Sequence, residues 1–492
     1  MVEAPTAGSQ TLWRHPEPTD LQWSRIVRAS GRLESEIDVL PGHGECFAGL
    51  VGSAEMRGAP VHRWFTYKEG FAPGLLGAVI DALELPGPLR VFDAFGGVAT
   101  SALAGQAEQR VSEVRSVEYS PFAHFAGQVK LDWHRVDPGR MRRVLARAVD
   151  YERRTDIPVP ELAAFNNPEI LHGATVQSLL SAREHLRAMA GVKGPERRLL
   201  LLGLAAVIED LSGAMKDGRA LRIKRERRRK PSSLAATEPL VDVKGRVKRA
   251  LAGQWTAMIE DLTAIECQRA QAARTSTHHL RGDARHLARV KLAGKRAFPD
   301  GWAQLGLFSP PYLNFLDYTE LYKLELWLLE HIRDSDEFRR VRHGTLRSHP
   351  SVRFKARLYF AGESGPEIDL LALTCRWVAR NGMRRENGLV LGEYFEDMLQ
   401  VWREQHRVLA PGGASVCVVA NSTFSQRAPV DDCGMVERWR LPLLTDVLLA
   451  HLARRAGFGH VEIWPARELR PRNALAGHAR ESLVVAWKML RG

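Results

Sequence analysis

Cysteine is scarce in this chain: Cys46, Cys267, Cys375, Cys417 and Cys433 are the only five in 492 residues, and no two form a Cys-x-x-Cys pair. That spacing argues against a zinc module and a disulfide framework, calls for no metal, and fits a reducing compartment. Long apolar runs are missing as well. The most apolar stretch, Leu199 to Ile208, gives way to Glu209-Asp210 after ten residues, about half of what a membrane-spanning helix needs. The opening, Met1 to Asp20, is polar and proline-containing, without the basic-then-apolar order of a signal peptide. No membrane partner and a soluble, cytoplasmic protein are therefore expected. Acidic residues are outnumbered: 57 Asp and Glu face 70 Lys and Arg, a formal net charge of +13. Such an excess draws a polyanion toward the surface without identifying it.

The chain is long enough for one catalytic domain of roughly 250 residues with large additions. From Leu89, short apolar runs alternate with helical stretches, the pattern of a mostly parallel sheet covered by helices. Leu89 to Asp93 reads as a first strand, Ser101 to Ala107 as the start of a helix, Ser116 to Glu118 as the end of a second strand, and a helix runs on from Pro121 toward Trp133. From Gly139 to Thr275 nearly everything reads as helix, with no comparable strand. That stretch contains Arg219 to Lys230, where eight basic residues stand against Glu226 alone. Strands return at His278 to Asp283 and Gly306 to Phe308. A helix is expected from Leu316 to Ile332. Asp334 to Asn387 is basic, interrupted by proline and without clear periodicity. Tyr394 to Leu409 reads as helix and Ala414 to Ala420 as a buried central strand. Leu443 to Ala456, Val461 to Trp464 and Leu483 to Trp487 supply a closing helix and two last strands. The division expected is an N-terminal extension (1–60), a first part of the catalytic domain (61–138), a helical basic insertion (139–275), and a second part (276–492) containing the irregular segment 334–387.

Three constellations carry chemistry. Val91 to Thr100 is a strand that ends in Asp93 and turns tightly through small residues into a helix. Small residues let backbone approach a ligand, and open α/β sheets bind ligands beyond the carboxyl ends of their strands. Glu118 ends the next strand about twenty residues later, where an acid can accept hydrogen bonds from both hydroxyls of a ribose. Together the two favour an adenosine-containing ligand. Ser309-Pro310-Pro311-Tyr312 follows an apolar strand directly. Its prolines fix the backbone and remove two N–H donors, leaving carbonyls and a hydroxyl as a stiff acceptor cluster, with a flat ring for a base to stack on.

These segments resemble the amino-methyltransferases of DNA, which modify the amino nitrogen of cytosine or adenine. In that family the tetrapeptide holds the target amine, and its Ser-Pro-Pro-Tyr form is associated with cytosine. The resemblance implies a Rossmann-like class I methyltransferase fold with a seven-stranded, mostly parallel sheet, S-adenosylmethionine as cofactor, and double-stranded DNA as partner. A cognate restriction endonuclease is a further candidate partner. It implies catalytic roles for Ser309, Pro310, Pro311 and Tyr312, and cofactor contacts from Asp93, Phe95, Gly97, Ala99 and Thr100 in the loop, Glu118 at the ribose, Asp283 in Gly282-Asp283-Ala284, and Phe71 in the segment Trp64 to Pro73. Ala99 departs from the family, which usually has a second glycine there. Arg407 to Gly413 resembles the helix end before the fifth strand. The Pro-Cys dipeptide of cytosine ring-carbon methyltransferases is absent. The expected reaction is direct methyl transfer to the N4 amine of a cytosine flipped out of the duplex. The insertion is expected to read the duplex, with Arg222, Lys224, Arg225, Arg227, Arg228, Arg229 and Lys230 on phosphates. Methylation of an adenine amine in DNA or RNA, and a catalytically idle DNA-binding subunit of the same fold, stay open as rivals.

Overall fold

The computed structural model describes residues 21–67, 70–162, 167–216, 221–223, 240–313, 317–349, 359–381, 386–429, 435–469 and 480–490. Its main strands are β1 (Asp38–Val39), β2 (Leu89–Asp93), β3 (Val111–Glu118), β4 (Ser276–Arg281), β5 (Ala303–Phe308), β6 (Leu409–Ala420), β7 (His460–Glu468) and β8 (Arg480–Trp487). They form one sheet in the order β1-β7-β8-β6-β5-β2-β3-β4. β8 runs antiparallel to both neighbours, and every other pairing is parallel. Seven strands were expected and found; β1, two residues at the edge beside β7, is an eighth that is too short to leave a period in the sequence.

The helices are α1 (Leu21–Ser35), α2 (Leu75–Ala82), α3 (Thr100–Ala107), α4 (Pro121–Leu131), α5 (Pro138–Val149), α6 (Gly173–Ala188), α7 (Gly194–Ala206), α8 (Leu240–Ala264), α9 (Ser335–Gly344), α10 (Pro366–Asn381), α11 (Glu386–Val408) and α12 (Thr445–Arg455). They cover both faces. Leu75 and Val79 of α2, Leu179 of α6 and Trp255 of α8 belong to one buried core, with Val91, Leu305 and Val416 from the sheet. Trp377, Trp402 and Leu448 belong to the other, with Phe92, Phe308 and Cys417. Alternate residues of the central strands thus feed opposite cores, which is why β6 reads as a continuous apolar run.

The inserted helices share the first core rather than building one of their own. Buried Asp261 of α8 fastens them to the segment before α2. It accepts hydrogen bonds from the Val61 amide at 3.1 Å, the Trp64 indole at 3.0 Å and the Arg63 guanidinium. Lys130 of α4 is wholly buried and donates to the His62 and Phe65 carbonyls at 2.9 and 2.8 Å, while burial pulls its pKa down to about 7. Two deeply buried polar side chains therefore hold residues 61–65 in place.

Three local expectations change. The insertion contains a short hairpin, Ala214–Lys216 against Leu221–Ile223, within an otherwise helical run. The helix expected from Leu316 to Ile332 is two short ones, Tyr318–Leu321 and Lys323–Leu328, because Tyr322 leaves helical geometry at φ −108°, ψ 22°. The segment 334–387, which showed no periodicity, supplies α9 and α10. α9 buries no residue completely and is started by Asp334, whose carboxylate caps the Asp336 and Glu337 amides, while Phe338 and Val341, only partly buried, pack its short apolar face against the first core. No helix among the described residues is long and apolar enough to cross a membrane.

Candidate active site

Two carboxylates at neighbouring strand ends clamp the turn after β2. Asp93, the last residue of β2, is buried; its Oδ1 accepts from the Phe95 amide at 2.8 Å and its Oδ2 from the Ser101 hydroxyl at 2.5 Å. Glu118, the last residue of β3, accepts the Gly97 amide on Oε2 at 2.9 Å and the Ser120 amide on Oε1 at 2.6 Å. A carboxylate oxygen has two lone-pair sites, so each Glu118 oxygen keeps one for a further donor. Burial pushes the Asp93 carboxyl up to about 6. Burial likewise pushes Glu118 up to about 7, against the Ser120 and Gly97 amides that pull it down.

Inside the clamp the backbone is left-handed at Gly97 (φ 51°) and at Ala99 (φ 67°). A side chain on Gly96 would place its Cβ 2.9 Å from both Ser116 and His279. His279 of β4 is buried, stands with Nδ1 2.7 Å from the Ser116 hydroxyl, and stacks on His124 at 5.2 Å. Burial holds it neutral, with its pKa pulled down to about 3. The ring thus supports the turn from beneath.

These strand ends open into a cavity, at the place where open α/β sheets bind their ligands. Phe71, Asp93, Phe95, Gly97, Thr100, Glu118, Asp283 and the whole tetrapeptide Ser309 to Tyr312 lie on its wall. Ala99 does not: it is fully buried, and its methyl faces Gly127 of α4. The usual glycine at this place answers to the left-handed backbone, and Ala99 meets the same demand with some strain. Asp283 spends much of its carboxylate on Arg285, whose guanidinium lies 2.8 to 3.2 Å from it and also binds Asp397 and the Gly344 carbonyl.

At the other end of the cavity the Ser309 hydroxyl donates to the Val418 carbonyl of β6 at 3.2 Å. With its proton engaged there, the oxygen is left to act as an acceptor. The Tyr312 hydroxyl donates to Glu481 Oε1 at 2.6 Å, and Glu481, buried on β8, also holds Arg467 at 2.6 Å. Burial and the Glu481 carboxylate push the phenol well above its usual range, so it stays a donor. Tyr67 on the same wall stacks on Tyr322 at 4.7 Å and Tyr318 at 6.0 Å.

Sequence reasoning missed Glu481, Arg285 and His279. An acid entering an otherwise apolar strand, Glu481 before Ser482 to Val485, was the available signal for the first. The opposite wall, Gly344 to Leu346 with Ser348 and His349, left none. Of the basic run, Arg222 is exposed on the inserted hairpin and away from the cavity wall. Lys224, Arg225, Arg227, Arg228, Arg229 and Lys230 lie outside the described residues, as does Cys433.

This strand order, with a cavity at the carboxyl ends of the parallel strands, is the Rossmann-like α/β arrangement expected from the sequence. No protein-family model matches the chain. The chain is 24% identical over 423 aligned positions to the Type II methyltransferase M.BsoBI of Geobacillus stearothermophilus, covering 78% of each. It is also 24% identical over 513 aligned positions to the Type II methyltransferase M.AvaI of Nostoc sp., covering 96% of this chain and 97% of that one. A solved rRNA methyltransferase, aviRa from Streptomyces viridochromogenes, aligns at 11% identity over 85% of each chain with a TM-score of 0.25.

The Tyr312–Glu481 contact yields a direct check. Glu481→Ala and Tyr312→Phe are each expected to lower unfolding free energy by about 1–3 kcal/mol, with the double variant falling short of the sum by about 1–2 kcal/mol. Strictly additive losses in chemical denaturation would mean that the contact is not formed.

Proposed function

We propose that the chain is a site-specific DNA methyltransferase that transfers a methyl group from S-adenosylmethionine to the exocyclic N4 amine of a flipped-out cytosine. The observation that carries the reading is a single cavity wall shared by the Glu118 carboxylate and the Ser309 hydroxyl. Similarity to Type II methyltransferases over nearly the whole chain supports the class of reaction and DNA as the substrate.

The donor set suits this cofactor. Glu118 retains an acceptor site on each oxygen for the ribose hydroxyls, the rings of Phe71 and Tyr67 suit the sulfonium end, and Asp283 lies on the same wall, where an adenine amine would share its carboxylate with the Arg285 amide and guanidinium. Among the described residues the wall's one guanidinium, Arg285, is matched by Asp283 and Asp397, which favours a positively charged guest. When bound, S-adenosylmethionine supplies an electrophilic methyl group on a positively charged sulfur.

The chain's own residues prepare the nucleophile. The lone pair of a cytosine amine is delocalised into the ring. Hydrogen bonds from that amine to Ser309 Oγ and the Pro310 carbonyl draw the nitrogen toward tetrahedral geometry and localise the pair. The Val418 carbonyl accepts the hydrogen bond of the Ser309 hydroxyl, which keeps its proton and turns the lone pairs of Oγ toward a donor. Tyr312, its ring pinned through Glu481, offers the face on which an extruded base stacks. A companion endonuclease of matching sequence specificity is the partner for which this reading provides.

The test is incubation with duplex DNA and labelled S-adenosylmethionine, digestion to nucleosides, and identification of the product by mass spectrometry. N4-methylcytosine is the expected product. N6-methyladenine, label only in RNA, or no label at all would each replace the reading.

A pH dependence follows from Glu118. Its carboxyl sits near 7 when the cavity is free, and ribose hydroxyls need its ionised form. As pH falls below 7 the protonated acid accumulates, so affinity for S-adenosylmethionine is expected to drop by up to roughly tenfold per pH unit, with proton release on binding. Calorimetry between pH 5.5 and 8 checks this; a flat profile, or an unaltered one in Glu118→Gln, would contradict the ribose role.

A further inference from the structure

A second cavity opens on the same rim as the first, with Pro121, Val341 and a group of charged side chains on its wall. Arg281, the last residue of β4, lines it, while the next two residues, Gly282 and Asp283, line the first cavity. α9 connects them again. Arg340 faces the second cavity and Gly344 the first, a separation of about 6 Å along the helix. Arg187 of α6 brings the inserted helices to the same wall.

The charge there is unbalanced. Arg187 is matched by Glu330 at 2.6 Å and Arg333 by Glu337 at 2.6 Å. Arg281 and Arg340, both exposed, have Glu118 and Glu337 as their nearest acids, but those carboxylates are hydrogen-bonded elsewhere, Glu118 to the Gly97 and Ser120 amides and Glu337 to Arg333. His331 adds no cation, because burial and then Arg281 and Arg187 pull it down to about 4. The wall of this cavity thus carries four guanidiniums, Arg187, Arg281, Arg333 and Arg340, against two carboxylates, Glu330 and Glu337, and it lies about one helical turn of α9 from the wall of the first cavity. An excess of like charge is unfavourable, and an oxyanion relieves it with the planar, two-pronged geometry that a guanidinium matches best.

We propose that this cavity takes phosphate oxygens of the DNA backbone beside the target base, with Arg281 and Arg340 as direct contacts. The inference rests on the duplex-acting function above and adds a contact surface independent of the basic run in the insertion. Phosphate contacts of this kind set where the duplex lies rather than which sequence is read. Seated here, the backbone brings an extruded base within reach of Ser309, and Arg187 lets the inserted helices sense the same strand.

The test is the salt dependence of duplex binding, measured with a labelled duplex in saturating S-adenosylmethionine for the full chain, Arg340→Gln, and Arg281→Gln with Arg340→Gln. Arg339→Gln is the control, since Arg339 lies on the same helix, is paired with Asp336 and stands outside the cavity. Each lost phosphate contact is expected to make the slope of log affinity against log salt shallower by about 0.9. The single variant should thus lose about one unit and the double about two, with Arg339→Gln unchanged. An unchanged slope in Arg340→Gln, or an equal change in Arg339→Gln, overturns the proposal. Should Arg281→Gln disturb folding, Arg340→Gln decides alone, because Arg340 is exposed on the helix surface. If the unaltered chain binds no duplex, the proposed function falls too; if it binds and the slopes stay put, only this inference falls.

Discussion

The site depends on two carboxylates being held at the ends of adjacent parallel strands, where burial opposes their ionisation. Asp93 closes the turn on itself through Phe95 and Ser101, and Glu118 reaches across from β3 to hold Gly97. The Glu118 clamp depends on the parallel register that sets Asp93 beside Ser116 and Glu118 beside Arg281. The same register sets the neutral His279 opposite Ser116, beneath the turn. The protein accepts raised carboxyl pKa values here and uses the remaining lone pairs as a binding edge.

The far end of the cavity follows the same logic with different chemistry. Pro310 and Pro311 leave the chain few conformations, and the two polar side chains around them are anchored at their tips, Ser309 on Val418 and Tyr312 on Glu481. Both anchors come from β6 and β8, so the antiparallel pair beside β5 sets where an amine is met. An acceptor whose own proton is already committed needs no reorganisation when a donor arrives.

Much of the sheet was legible because its strands are buried on both sides: Leu89 to Asp93 matched β2 residue for residue, and Ala414 to Ala420 is the buried part of β6. Long helices under a strong apolar stripe were legible too. What escaped were elements with little or no hydrophobic period. α9 starts at its Asp334 cap and has only a short apolar face, β1 is set by docking against β7, and the break at Tyr322 by packing of that ring against Tyr67 and Phe65. The turn and the tetrapeptide carry their signal within a few consecutive residues and so could be named from the chain alone. Glu481, Arg285 and His279 act through residues far away in sequence, and only the folded chain brings them to the site. The basic run that drew attention in the sequence lies mostly outside the described residues, whereas Arg281 and Arg340, far apart in sequence, share a cavity next to the one that Ser309 lines.

The central claim is that one end of the cavity holds the methyl donor and the other aligns the amine. Single-turnover methyl transfer and donor affinity, measured together on Ser309→Ala, test it most directly. Transfer should slow by about 10²–10³-fold, the scale of losing one preorganised hydrogen-bonding partner, with the dissociation constant for S-adenosylmethionine unchanged. Loss of donor affinity in proportion, or transfer at the original rate, would contradict the account.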